Sequence, residues 1–125
     1  MNPKKILVAD DEPNIVISLE YLMKREGYTV LVARDGQEAL DVIVRDRPDL
    51  VLLDVMMPKK TGYEVCQAVR AIDDLQATRI LMLTAKGRDT DLAKGVALGA
   101  DAYMTKPFST RDLVQKVKDL LGTQE

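Results

Sequence analysis

Short aliphatic runs alternate along the chain with longer segments whose apolar residues recur at helical spacing. Residues 6–9, 29–32, 50–53, 80–83 and 102–104 read as strands. The first, third and fourth are continuously apolar, as in LVLL and ILML. A strand covered by helices on both sides has this pattern, because both faces of its pleat are buried. Between them, residues 13–26 place Ile15, Leu19, Leu22 and Met23 on one stripe, and residues 37–45 carry Leu40 and Ile43. Residues 63–72 carry Val65, Val69 and Ile72, and residues 90–98 carry Leu92 and Val96. Residues 110–121, with Leu113, Val117, Leu120 and Leu121, have the clearest helical period in the chain. Pro13 sits near one predicted helix start, and Gly27, Gly99 and Gly122 follow predicted helix ends.

Five β-α units in strict alternation predict a parallel sheet with helices on both faces, formed by one domain over residues 1–125. In such open sheets ligands bind beyond the carboxyl ends of the strands. The strand ends are therefore where chemistry is expected.

Composition narrows that chemistry. Aromatics are 4% of residues, so aliphatic side chains fill the core. The net charge of −2 lacks the clustered basic footprint of a nucleic-acid binder, so no direct nucleic-acid contact is expected. No apolar run reaches the roughly 20 residues that span a bilayer, and a cytoplasmic protein without a membrane partner is the default expectation. Cys66 is the single cysteine, lies among apolar residues and reads as a small buried hydrophobe rather than a reactive thiol. Histidine is absent, which excludes Ser-His and Cys-His dyads and any histidine-held metal. A metal here needs oxygen ligands, which suit Mg²⁺.

Strand one leads into Asp10 and Asp11, strand three into Asp54, strand four into Thr84 and strand five into Lys106-Pro107. Each has a plain reading: a helix cap for Asp11, a turn aspartate for Asp54, a strand threonine for Thr84, a solvated lysine for Lys106. Their convergence on one sheet edge weakens those readings. Two carboxylates about 4 Å apart repel by roughly 4 kcal/mol at an effective dielectric of about 20, and a cation should offset this. Lys106 brings one positive charge and Mg²⁺ two. A carboxylate, a metal, a lysine and a hydroxyl form a set suited to phosphoryl transfer, which needs positioning and charge neutralisation more than acid–base chemistry. A carboxylate ionised at neutral pH attacks phosphorus without a general base.

These residues lie in ILVADDEPN, PDLVLLDVMMPKKTGYEV, ILMLTA and GADAYMTKPF, four blocks in which nearly the whole chain resembles the receiver domains of two-component response regulators, those of chemotaxis regulators among them. The resemblance implies an α/β flavodoxin-like doubly wound fold, a five-stranded parallel sheet of order 2-1-3-4-5 with five helices. It implies Asp54 as phosphoacceptor, and Mg²⁺ held by Asp10, Asp11, Asp54 and the Met56 backbone carbonyl. Lys106 and Thr84 match the residues that contact the phosphoryl group, Thr84 and Tyr103 the switch pair, and Ala85 a small residue that leaves the phosphoryl group room. A cis peptide is implied between Lys106 and Pro107. The implied donor is a sensor histidine kinase or phosphotransfer protein. The implied readout is a downstream protein or a further effector domain, on the face of the fourth helix, fifth strand and fifth helix. Arg88, Lys94, Tyr103 and Arg111 on that face equally suit a solvated basic rim.

Two departures stand out. Where one subfamily of dimerising transcription factors has GADDY, this chain has Ala102 in place of the second acid, which removes one intersubunit salt bridge and favours a monomer or weak dimer. Met56 and Lys86 flank the site at positions that vary in the family and influence phosphoryl lifetime. Three other readings stay open. The chain is not expected to be an enzyme beyond its own phosphorylation and dephosphorylation, but Mg²⁺-dependent phosphatases also use an aspartyl nucleophile. Those enzymes place a second acid where this chain has Met56. A binding module on the same fold, without the phosphorylation, is another, and a flavin or nucleotide site would want a glycine- or hydroxyl-rich cradle where DDEPN stands. Both a complete single-domain regulator and a receiver from a longer protein fit the sequence.

Overall fold

The computed structural model describes residues 3–85 and 98–122. Five parallel strands form one sheet in the order β2-β1-β3-β4-β5. They are β1 (Lys5–Ala9), β2 (Thr29–Ala33), β3 (Leu50–Asp54), β4 (Arg79–Ala85) and β5 (Ala102–Lys106). The described helices are α1 (Pro13–Arg25), α2 (Gly36–Asp46), α3 (Gly62–Arg70) and α4 (Thr110–Leu121), with a 3₁₀ turn at Asp73–Leu75. Residues 90–97 of the expected fourth helix, with Lys86, Arg88 and Lys94, lie outside the described residues, so α4 is the fifth helix of the sequence reading.

The three continuous apolar runs occupy the centre of the sheet, where both faces are covered. On one face Leu7, Ala9, Val51, Leu53, Ile80 and Met82 pack with α2 and α3. On the other Ile6, Val8, Leu50, Leu52, Leu81 and Leu83 pack with α1 and α4. Alternate residues of each strand thus feed two separate cores, which explains why these runs show no polar alternation. Edge strand β2, TVLVA, runs from exposed Thr29 through three partly buried residues to buried Ala33.

Local signals set the helix limits. Pro13 opens α1, where its missing N–H costs no hydrogen bond. The Asp35 side chain accepts from the Glu38 N–H and caps α2. Thr61 and Glu64 form a reciprocal capping box on α3, and the Ser109 hydroxyl caps α4. The buried stripe of α1 is Val16, Leu19, Leu22 and Met23, with Ile15 only partly buried. The stripe thus differs from the sequence reading only at its first position, where Val16 replaces Ile15. Ile72 falls outside α3, at the start of the 3₁₀ turn. Among the described residues, no helix is long and apolar enough to cross a membrane.

Candidate phosphoacceptor site

β1 and β3 are neighbours, so the residues at their carboxyl ends meet. Asp10 follows β1 and is fully buried. Its backbone N–H donates to the Ala33 carbonyl at 3.1 Å, and its Oδ1 accepts from the Glu12 N–H at 3.0 Å. That second bond closes the turn into α1 and aims Oδ2 toward the sheet edge. Asp54 ends β3 and is 7% exposed. Ligand atoms from Asp10, Asp11 and Asp54 all lie within 4.8 Å of one another, with Asp11 on the solvent side.

Lys106, at the end of β5, crosses to this cluster. Its Nζ donates to Asp10 Oδ2 at 3.0 Å and to Asp54 Oδ1 at 3.3 Å. The solvated reading of Lys106 does not hold, since its side chain is only 19% exposed. The following peptide, Lys106-Pro107, is cis. Burial alone would lower the Lys106 pKa. The hydrogen bond to Asp10 and the charges of Asp54 and Asp10 outweigh it and raise the value, so the ammonium stays charged.

Asp54 shifts the other way from most paired carboxylates. Burial is the main cause, the neighbouring charge of Asp10 the second, and Lys106 offsets them only in part, leaving the pKa at about 6. Asp54 is still mostly ionised at neutral pH, though less completely than the sequence reading assumed. Three carboxylates against one ammonium leave two uncompensated negative charges, and every donor is a hard oxygen. Both facts suit a divalent Mg²⁺.

Thr84 is 2% exposed, one residue beyond Leu83, the register partner of Asp54. Tyr103, the register partner of Met82, is half-buried and packs against the core on the α2–α3 side. The Met56 side chain is 55% exposed. Cys66 is buried as expected, and burial pushes its thiol pKa up, away from reactivity.

One group escaped the sequence reading. Asp101 accepts from the Ile80 N–H at 2.7 Å and from Arg70 Nη2 at 2.8 Å, and pairs with Arg79 at 3.5 Å. Arg70 also donates to the Gly99 carbonyl at 2.9 Å. These partners are remote in sequence, and no local period signals them.

Parallel β-α units of this order, with an acidic cluster and a partly buried lysine at the carboxyl edge, define a doubly wound α/β domain, and sequence comparison gives the family. The chain belongs to the response regulator receiver domain family, matched over residues 6–118. It is 50% identical over 122 residues to PhoP of Bacillus subtilis, the alkaline phosphatase synthesis transcriptional regulatory protein, covering 98% of this chain and 50% of that one. The chain thus spans half the length of that relative. The chemotaxis response regulator CheY4 of Vibrio cholerae has the same fold with a TM-score of 0.89 at 34% identity, over 95% of this chain and 99% of the other. A CheY-like receiver domain protein from Methanospirillum hungatei gives 0.90 at 30% identity, over 97% and 95%. The protein is therefore a receiver domain of two-component signalling.

Proposed function

We propose that Asp54 accepts a phosphoryl group from a phosphohistidine on a sensor kinase or phosphotransfer protein, and that the phosphorylated domain then controls a downstream protein or effector domain. The observation that carries this reading is the Lys106 ammonium bridging Asp10 and Asp54 within a cluster of three carboxylates. An oxygen of Asp54 forms the new P–O bond as the donor's P–N bond breaks, and the imidazole nitrogen leaves with the bonding pair and takes up a proton. Lys106 keeps Asp54 oriented and pairs with a phosphoryl oxygen in the product. Asp10, Asp11, Asp54 and the Met56 carbonyl would hold Mg²⁺, which supplies charge neutralisation on the phosphoryl oxygens. The phosphatase alternative lacks its proton donor, because Met56 presents an apolar, exposed side chain at that position.

Thr84 and Tyr103 form the switch in this reading. Phosphorylation adds charge and three acceptor oxygens. Moving an equilibrium from 1:99 to 99:1 takes about 5.5 kcal/mol, and one hydrogen bond to a charged group gives about 1.5–3 kcal/mol. Thr84 and Lys106 must therefore act together. Thr84→Ala should accept phosphate yet leave Tyr103 unmoved; a wild-type rearrangement at Tyr103, followed by NMR, would refute the coupling. A readout around edge strand β5, where Tyr103 lies on the α2–α3 side of the sheet and Arg111 on α4, completes the proposal.

The direct test is intact mass after incubation with Mg²⁺ and acetyl phosphate. Wild type should gain one phosphoryl group, Asp54→Ala none, and a chelator should abolish the gain. A wild type unmodified by acetyl phosphate and by kinases alike would reduce the chain to a binding module that kept the fold.

A further inference from the structure

The segment after Asp54 is a compact loop, residues 55–61, closed on itself. The Gly62 N–H donates to the Val55 carbonyl at 2.8 Å, and the Lys60 N–H to the Pro58 carbonyl at 2.8 Å. A Cβ on Gly62 would stand 2.4 Å from the Asp54 carbonyl oxygen, so α3 begins directly against the acceptor's backbone.

The loop is also held from outside, by the first turn of α2. The Gly36 N–H has no partner within its own helix, and it donates to the Pro58 carbonyl at 3.1 Å. Lys59, at the loop tip with φ 71°, pairs with Asp35 at 3.6 Å. Contact between the two backbones is closer than any side chain permits. A Cβ on Gly36 would stand 1.9 Å from the Lys60 carbonyl oxygen and 2.6 Å from its carbonyl carbon. Backbone atoms of a closed loop cannot swing aside as a flexible side chain can. The same turn reaches the other acidic segment, since Ala33, three residues before Gly36, accepts the Asp10 N–H. The two chain segments that bear the acidic cluster are thus fastened to one short stretch, residues 33–36.

We infer that Asp35 and Gly36 are positioning residues for the phosphoryl-transfer site, setting the acceptor loop against the Asp10 segment so that their oxygens converge on one cation. This rests on the reading of the acidic cluster as a Mg²⁺ site. The contacts cap α2 as well, and a purely structural role would lower stability without changing metal affinity.

The test is calorimetric titration of the full chain with MgCl₂, beside thermal melts with and without the ion. Wild type should bind. Gly36→Ala should weaken binding by about 10–100-fold, the usual effect of losing support behind a metal ligand. Asp35→Ala, which keeps the close backbone approach but loses the cap and ion pair, should weaken it less and in the same direction. Val117→Ala opens a cavity under α4, touches neither turn, and should lower the melting temperature with wild-type Mg²⁺ affinity. If Gly36→Ala fails to fold, Asp35→Ala decides. Wild-type affinity in the folded variants overturns the inference. A wild type that takes up no Mg²⁺ overturns the metal reading itself, and the inference with it.

Discussion

Asp54 and Lys106 show how one residue's environment changes its chemistry. The Asp54 pKa, raised to about 6, means the folded state holds that proton more tightly than the unfolded chain. Asp54 therefore costs stability once ionised, and this penalty grows as pH rises from the ordinary carboxylate range through about 6. Asp54→Asn should stabilise the metal-free protein by about 1–3 kcal/mol near neutral pH and leave it nearly unchanged near pH 4. Urea midpoints at the two pH values check this, and equal gains at both would refute it. Lys106 acts oppositely. Its raised pKa adds stability that is present at all pH values below the ordinary lysine range and is lost only as pH rises through the higher folded value. Lys106→Met leaves Asp10 and Asp54 facing each other and should cost about 2 kcal/mol without metal. Mg²⁺ should recover part of that loss in the same melts. A variant as stable as wild type in a chelator would show that the two carboxylates are not strained.

At the scale of elements, strands were legible where both faces are buried. Runs at 50–53 and 80–83 lie inside β3 and β4, because burial on both faces leaves only aliphatic residues there. The ends were less legible. β5 continues past Met104 to Lys106, held by pairing of Thr105 with Thr84 and Lys106 with Ala85 on β4, a contact between remote residues. Entry to β5 depends on Asp101, which joins β4, β5 and the end of α3. Its ion pair with Arg70 also engages within the chain the acid that remains beside Ala102. Asp101→Ala leaves the Ile80 N–H without its acceptor and removes the ion-pair partner of Arg70, which keeps the Gly99 and Leu75 carbonyls, and of Arg79, and should destabilise the fold by about 1–3 kcal/mol. Asp101→Asn should recover part of this by accepting from Ile80. Urea unfolding measures both, and a loss below about 0.5 kcal/mol, usual for a surface substitution, would make the junction incidental.

For the whole molecule, the sheet divides the interior into two cores and gathers Asp10, Asp11, Asp54 and Lys106 at one end. With Mg²⁺ in the proposed site, the net negative charge at that edge would make stability depend on the cation. Mg²⁺ at about 100 times its dissociation constant should raise unfolding free energy by about 2.7 kcal/mol, and Asp10→Asn should remove most of the gain. An unfolding midpoint insensitive to Mg²⁺ in wild type would contradict the assignment of the cluster as a metal site.

Sequence alone determined the class of fold, because the alternation of buried strands and amphipathic helices is a local, periodic signal. It also marked Asp10, Asp11, Asp54, Thr84 and Lys106, because parallel β-α units carry each strand's last residues to the same edge. Tertiary structure decided the rest. It shows Lys106 between Asp10 and Asp54, raises the Asp54 pKa, joins Asp101 to Arg70, and presses Gly36 against Lys60. Each of these depends on how close two remote segments come and how much water lies between them, and neither quantity is written in any local run of residues.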